Sequence, residues 1–503
     1  MRVLRPSTGA ALLVLAPLAA AQSFSFVNVS AESGLDIPNT TISPGLAVGD
    51  FDGDGWEDIC VTGAEDARPH FFHNRANWIA MGHQSPLFLD VTDHVFPVGA
   101  NDGTVAVFAD IDDDGDADLV MSRRFESRVT GHPVPTHTGI EFFINVDHSR
   151  RFQSLGADPG LGEAMAPHGG LTLNDADGDG DLDVVYAHNS GPAFYLRNGG
   201  DLNFTDETAT FVPEILSPTR YFSTILCDFN GDRLPEIHAA VDFYRDLHFQ
   251  NQGGGMFTEV TDQVGANNTG SDMGLTVGDP DMDGDFDIYS TNINVGVFYE
   301  NDGNGNFTNR ATQRGIGTFN NGFSACVGWG TAFADFDNDN DEDLIVIGDI
   351  TRAKFFENNG NGQFSDASSG CGIQLKGHSL VPFDFDHDGD LDVLIGWGVP
   401  GAMPRLYENR TPSLDGRHWL IVDPRGTTSN ADGVGCHIEV AVGEVRMHRK
   451  ILIGTSFKSG LPLYAHFGLG EHAVADEVVV RWPSGTVTTL TDVPGDQRIE
   501  VVE

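Results

Sequence analysis

Short apolar runs recur along this chain in pairs, and within each pair the two runs are separated by about nine polar positions. GLAVG at 45–49, VAVFA at 105–109, TILC at 224–227, GLTVG at 274–278 and TAFA at 331–334 each precede such a stretch. ICVTG, LVMS, VVYAH, IHAAV, IYST, LIVIG and VLIG follow the seven stretches in turn. Runs this short, rich in β-branched residues and bounded by turn-forming positions, predict strands. A third element follows each pair, an aromatic strand ending in Asn: FFHN at 71–74, FFIN at 142–145, FYLRN at 194–198, LHFQN at 247–251, VFYEN at 297–301, KFFEN at 354–358 and RLYEN at 405–409. A fourth opens on Phe, often behind a Gly/Asn turn: FLDV at 88, FQSL at 152, FTDE at 204, FTEV at 257, FTNR at 307 and FSDA at 364. Each unit therefore holds four strands. The units start 60, 65, 53, 51, 56 and 49 residues apart, a period that predicts a propeller or a solenoid.

The fourth element decides between the two. None follows RLYEN in the seventh unit, yet FVNVSAESGL at 26–35, ahead of the first unit, matches FTEVTDQVGA at 257–266. An open solenoid has no use for that displacement. In a closed ring the N-terminal strand completes the last blade and leaves no edge unpaired. The expected fold is all-β, a seven-bladed β-propeller over 22–409 followed by a small C-terminal β domain over 410–503. Strands of the latter read as WLIVDPRG, CHIEVAVG, VRMHRKILIG, YAHFGLG, DEVVVRWPSG and QRIEVVE.

The polar stretches carry the chemistry. Acids or amides stand at positions 1, 3 and 5 and an acid at position 9 in all seven: Asp50, Asp52, Asp54 and Asp58; Asp110, Asp112, Asp114 and Asp118; Asp175, Asp177, Asp179 and Asp183; Asp228, Asn230, Asp232 and Glu236; Asp279, Asp281, Asp283 and Asp287; Asp335, Asp337, Asp339 and Asp343; Asp384, Asp386, Asp388 and Asp392. So dense a like charge calls for a hard cation, and Ca²⁺, with six to eight oxygen ligands, suits such a loop. An EF-hand needs a bidentate Glu at position 12, but Val61, Met121, Tyr186, Ala239, Ser290, Val346 and Ile395 stand there and cannot ligate. These are inter-strand calcium loops, up to seven of them. Position 6 is Gly in five loops and Asn340 in the sixth, types that accept a left-handed backbone; Arg233 breaks the pattern in the fourth, which should bind weakest.

GLAVGDFDGDGWEDICVTG resembles the FG-GAP or VCBS repeat of integrin α-subunit propellers and their bacterial relatives. That resemblance implies ligation by the side chains at positions 1, 3, 5 and 9 and by the backbone oxygen of position 7, here Trp56, Asp116, Asp181, Leu234, Asp285, Asp341 and Asp390. SNADGVGCHIEV at 429–440, HFGLG at 466–470 and VVVRWPSG at 478–485 resemble the ASPIC/UnbV domain, and its pairing with such a propeller is similar to the cartilage acidic protein 1 family. LIGTSFKSGLPLY between these motifs departs from that family's pattern. Trp482, Pro483 and Gly485 read as a strand end and turn.

Composition sets the surroundings. MRVLRPSTGAALLVLAPLAAAQS has the basic start, apolar run and small residues of a secretory signal peptide over 1–21, cleaved after Ala21, so the protein is expected to be secreted, periplasmic or extracellular. No other stretch is long enough to span a membrane. The formal charge of −46 would still be about −32 with seven Ca²⁺, which excludes nucleic acid and anionic membrane as partners. A monomer that meets an extracellular protein or glycan is compatible with it. Of five cysteines, Cys60, Cys227 and Cys436 read as buried thiols, while export would permit a bridge between Cys326 and Cys371.

No G-x-S-x-G, H-E-x-x-H, Walker or C-x-x-C motif is present. His132 and His137, with Arg123, Arg124 and Arg128, lie on a long insertion of the second unit. Opposite the metal loops, SPTRYFS and NNGFSACVGWGT offer Arg220, Tyr221, Phe323 and Trp329 as recognition residues, against the alternative that the aromatics pack between blades. The expected function is that of a calcium-binding extracellular binding or adhesion module. A polysaccharide lyase on the same scaffold is the alternative, and a purely structural role the third.

Overall fold

The computed structural model describes residues 24–35, 44–63, 68–81, 86–96, 103–123, 139–146, 151–157, 169–188, 192–200, 202–216, 220–318, 326–349, 352–397 and 403–503. The expected signal peptide, His132, His137, Arg124, Arg128 and Phe323 lie outside them. Among the described residues seven sheets, each built on four antiparallel strands and two of them with a fifth, correspond one to one with the seven units. In the first, Leu46–Gly49, Asp58–Val61, His70–Asn74 and Phe88–Asp90 pair in order. In the last, Gly377–Phe383, Asp392–Trp397 and Arg405–Asn409 are joined by the N-terminal Phe26–Asn28, in the register Phe26↔Asn409 and Asn28↔Tyr407. The innermost strands touch in sequence round the axis, and that of the seventh blade reaches that of the first. The ring is closed by the displaced strand.

Burial explains why the strands pack as blades. Both faces of each inner strand are covered, so they read as continuous apolar runs; Leu46, Ala47, Val105, Ala106, Leu171 and Leu380 are at most 1 % exposed. The Asn that ends the aromatic strand bridges neighbouring blades in six of the seven, Asn198 being the exception among the described residues. Asn74 Nδ2 donates to the Phe385 carbonyl across the closure, at 2.9 Å, and Asn145, Asn251, Asn301, Asn358 and Asn409 reach Phe51, Ala176, Phe229, Pro280 and Phe336 in the same way.

Two sheets form the C-terminal domain. One holds Ala465–Gly470, His418–Arg425 and Gln497–Val502, the other Val445–Lys450, His437–Val442, Val474–Arg481 and Val487–Pro494. Val487–Pro494 is mostly exposed and Thr-rich, and its lack of alternation hid it from the pattern. The expected strand VRMHRKILIG ends at Lys450 instead. Residues 451–460 then run into the propeller channel and meet every blade. Thr172 Oγ1 donates to the Ile453 carbonyl at 2.6 Å, Ser223 Oγ to the Ser456 carbonyl, and Ser456 N to the Leu275 carbonyl. Thr331 N donates to Ser456 Oγ and Leu380 N to Ser459 Oγ; Ser459–Gly460 adds a parallel strand to Leu46–Ala47, with Val107 beside Gly460. All five cysteines are buried and none forms a disulfide, so Cys326 and Cys371 are not bridged: each packs in an apolar layer between two blades, Cys326 between the fifth and sixth and Cys371 between the sixth and seventh.

Candidate functional site

Each acidic loop joins the first and second strands of its blade, and its own carboxylates fold it. The position 1 carboxylate accepts the amides of positions 5 and 6, as Asp50 does from Asp54 at 3.1 Å and Gly55 at 2.7 Å; the position 5 carboxylate accepts the amide of position 7. The arrangement recurs in all seven loops. Position 6 has positive φ throughout, including Arg233 at 73° and Asn340 at 88°, which is why Gly dominates there. The position 9 carboxylate is the most deeply set, accepting the amide of the aromatic strand's Asn, at 2.7 Å for Asp58, Asp118, Asp287 and Asp392.

Oxygens of positions 1, 3 and 5 or 9 converge within 4.8 Å in the first, second, third and fifth loops. Burial, reinforced by neighbouring carboxylates, pushes Asp118 and Asp183 up to about 8 and Asp110 to about 7. Such groups want a cation. The test of fit is whether buried oxygens lack partners, and several do: Asp58 Oδ2, Asp112 Oδ1, Asp281 Oδ1, Asp285 Oδ1, Asp287 Oδ2, Asp341 Oδ1 and Asp386 Oδ1. Loops 1, 2, 5, 6 and 7 thus fit a divalent ion. In loop 3 the oxygen of this kind, Asp177 Oδ2, is taken by Arg197, which also reaches Asp179; Arg314 on Asp281 and Arg417 on Asp337 and Asp339 take up part of the charge in loops 5 and 6, where Asp285, Asp287 and Asp341 keep oxygens for an ion. In loop 4, Asn230 turns its Nδ2 to Glu236 Oε1 at 3.0 Å, so the amide that should offer oxygen donates inward.

The C-terminal domain sits over this face and touches all seven loops. Arg498 pairs with Glu57 of loop 1 at 2.5 Å. Asp432 accepts the amide of Asp110 in loop 2, at 2.6 Å, and Thr428 stands over Gly180 of loop 3. Lys450 faces Asp228 of loop 4 and lies on the ring of Phe286 in loop 5. Arg449 pairs with Glu342 of loop 6 at 3.2 Å, and His466 meets the Gly389 carbonyl of loop 7 at 3.0 Å. Glu57 and Glu342 occupy position 8, which the sequence pattern gave no reason to single out.

The opposite face differs from expectation. Tyr221 is fully buried at the start of its strand, packed in an apolar cluster with Ile215 and Leu226, its hydroxyl donating to the Ile215 carbonyl. Trp329 packs on Phe457 of the inserted segment and on His378, with ring centroids 4.8 Å apart in both pairs. Arg220 is exposed, as expected. Beside it, where the second strand of blade 4 extends to Arg245, Phe243 and Tyr244 are 70 % and 50 % exposed, and the Arg220 guanidinium lies 5.9 Å from the Phe243 ring. Phe243 follows an apolar run and was hidden inside it.

The FG-GAP-like repeat profile matches residues 50–121, 175–239, 228–290, 281–346 and 335–395, and the ASPIC and UnbV profile matches 426–503. Cartilage acidic protein 1 of Xenopus tropicalis is 28 % identical over 270 residues, covering 49 % of this chain and 39 % of that protein. The mouse protein of that name is 26 % identical over 272 residues, covering 51 % and 40 %. The chain thus matches about two fifths of the length of these relatives. Among solved structures, the WD40 β-propeller domain of Doa1 is similar at 12 % identity and a TM-score of 0.40, covering 75 % of this chain and 96 % of that one.

Proposed function

The chain belongs to the FG-GAP-like repeat family, and from that premise we propose that it is an exported, calcium-loaded binding module that recognises an extracellular protein or glycan through the face opposite its metal loops. One observation carries the reading. The loop face and the channel are both covered by the C-terminal domain, so the free face is the other one, and there Arg220, Phe243 and Tyr244 form an exposed cluster of the residue types that dominate recognition surfaces. Calcium holds the scaffold. Positions 1, 3, 5 and 9 would supply its carboxylate ligands, with the backbone oxygen of position 7, and bound ions stabilise the folded state by mass action.

Loops 1, 2, 5, 6 and 7 are expected to fill first and loop 4 to stay weakest. Titration with calcium should count at least five tight ions, and Asp279→Ala should remove one while Asp228→Ala removes none. The reverse order would refute the ranking. For recognition, a glycan array and a screen of extracellular proteins with the calcium-loaded chain should give a ligand whose binding falls at least tenfold in a Phe243→Ala/Tyr244→Ala variant of unchanged melting temperature. A ligand that binds this variant as tightly as the parent places the site elsewhere.

A further inference from the structure

A cleft of about 540 Å³ lies between loops 3 and 4 and the C-terminal domain. Two cations face it without a matched partner. The Lys450 side chain is only 7 % exposed, and among the described residues its ammonium makes one long ion pair, 3.8 Å from Asp228 Oδ2, and no hydrogen bond. A desolvated ammonium is unfavourable until its three N–H groups find acceptors. At the rim, Arg233 is exposed, carries no ion pair among the described residues, and is held against the Gly485 backbone by the strained turn of loop 4. The wall between them is built from hydroxyls and amides. Three successive amides, of Thr427, Thr428 and Ser429, converge on Glu503 Oε2 at 3.0, 2.7 and 2.8 Å, and Ser429 and Ser484 hydroxyls hold its other oxygen. Glu503 itself does not line the cleft; it takes up these donors from behind the wall.

We propose that the cleft is an oxyanion-binding site that takes the sulfate or carboxylate of an acidic saccharide, with Lys450 on its floor and Arg233 at its rim. The volume suits one or two sugar rings, and Thr428 and Thr486 offer hydroxyl partners for them. Asp175, Asp179 and Asp228 also line the cleft. The first two belong to loop 3, where Arg197 already takes up part of the charge, and Asp228 is the partner of Lys450; binding is tested on the calcium-loaded chain. The site is separate from the face proposed for recognition and stands without it.

The experiment is calorimetric titration of the full, calcium-loaded chain at constant ionic strength with inorganic sulfate, glucose 6-sulfate, methyl glucuronide and uncharged methyl glucoside. Saturable binding is expected for one or both acidic sugars, at least tenfold tighter than inorganic sulfate, and none for methyl glucoside; which acidic sugar binds tells sulfate ester from uronate. Lys450→Met should abolish it and Arg233→Ala weaken it about tenfold. Should Lys450→Met fail to fold, Arg233→Ala, at an exposed loop position, still decides. Absence of saturable binding, equal affinity in the parent and Arg233→Ala, or sulfate binding as tightly as both sugars would overturn the proposal.

Discussion

The Asn that closes each aromatic strand was legible as a repeat but not as a bridge, because its partner is a carbonyl in the preceding blade, 72 residues earlier for Asn301. Asn301 Nδ2 donates to Phe229 and Phe286 carbonyls at 2.8 and 3.1 Å, both buried. Asn301→Ala leaves them unpaired and should cost about 1–3 kcal/mol in denaturant unfolding. Asn198 is the internal control: among the described residues its Nδ2 has no hydrogen-bond partner, so Asn198→Ala should cost less than half as much. Equal losses would show that the bridge is not what the position contributes. Asp246 and Asp272 raise a different question. Burial first, then the other carboxylate, holds Asp246 well above the usual range, and burial raises Asp272 too. A carboxyl whose folded pKa is raised contributes stability that is fully present below its unfolded value, near 4, and is lost as pH rises through the folded one. In saturating calcium, which keeps the loop carboxylates out of the reading, the melting temperature should fall from pH 5 to pH 8. Asp246→Asn, which replaces the shared proton with an amide, should flatten that slope. A slope that survives the substitution assigns it to other groups.

At the scale of elements, the sequence was read correctly wherever a unit is repeated. Seven copies of an apolar run, an acidic loop and an aromatic strand make each strand's role plain, and the displaced FVN strand could be assigned only because six other copies show what the seventh lacks. Reading failed where an element has no copy: ILIG has the apolar character of a strand, but periodicity cannot tell a sheet partner from a channel wall. The N-terminal strand gives the sharpest test. Phe24 and Phe26 are 1 % and 3 % exposed and lie 4.1 and 5.6 Å from the Phe355 ring, in the neighbouring blade. Phe24→Ala should cost about 3–5 kcal/mol. Deleting residues 22–31 would in addition bare the edge of Arg405–Asn409, so the truncated protein should aggregate in sedimentation velocity. A truncated chain that stays monomeric with an unchanged melting temperature means that the ring is held by other contacts.

For the whole molecule the decisive feature is that one domain contacts all seven loops from outside and all seven inner strands from within. Its arrival could not be foreseen from 451–460, whose partners lie in blades from Leu46 to Leu380, although Gly454 bears its mark. Gly454 has φ +89°, and a Cβ there would lie 1.9 Å from the Leu171 carbonyl oxygen. No other residue can pass that point without displacing the inner strand of blade 3. Gly454→Val should therefore unseat the inserted segment while leaving both sets of sheets able to form. Phe457 then leaves Trp329, whose ring it meets at 4.8 Å, and the tryptophan emission should shift to longer wavelength. Because Arg498, Asp432, Lys450, Arg449 and His466 bind the loops only while their domain is seated, the variant should also need more calcium to reach its highest melting temperature. The parent should unfold in one transition and the variant in two, the C-terminal domain separating from the ring. If Gly454→Val melts in a single transition with the parent's emission and the parent's calcium dependence, the channel contacts contribute nothing to holding the two domains together, and the outer contacts alone must account for their union.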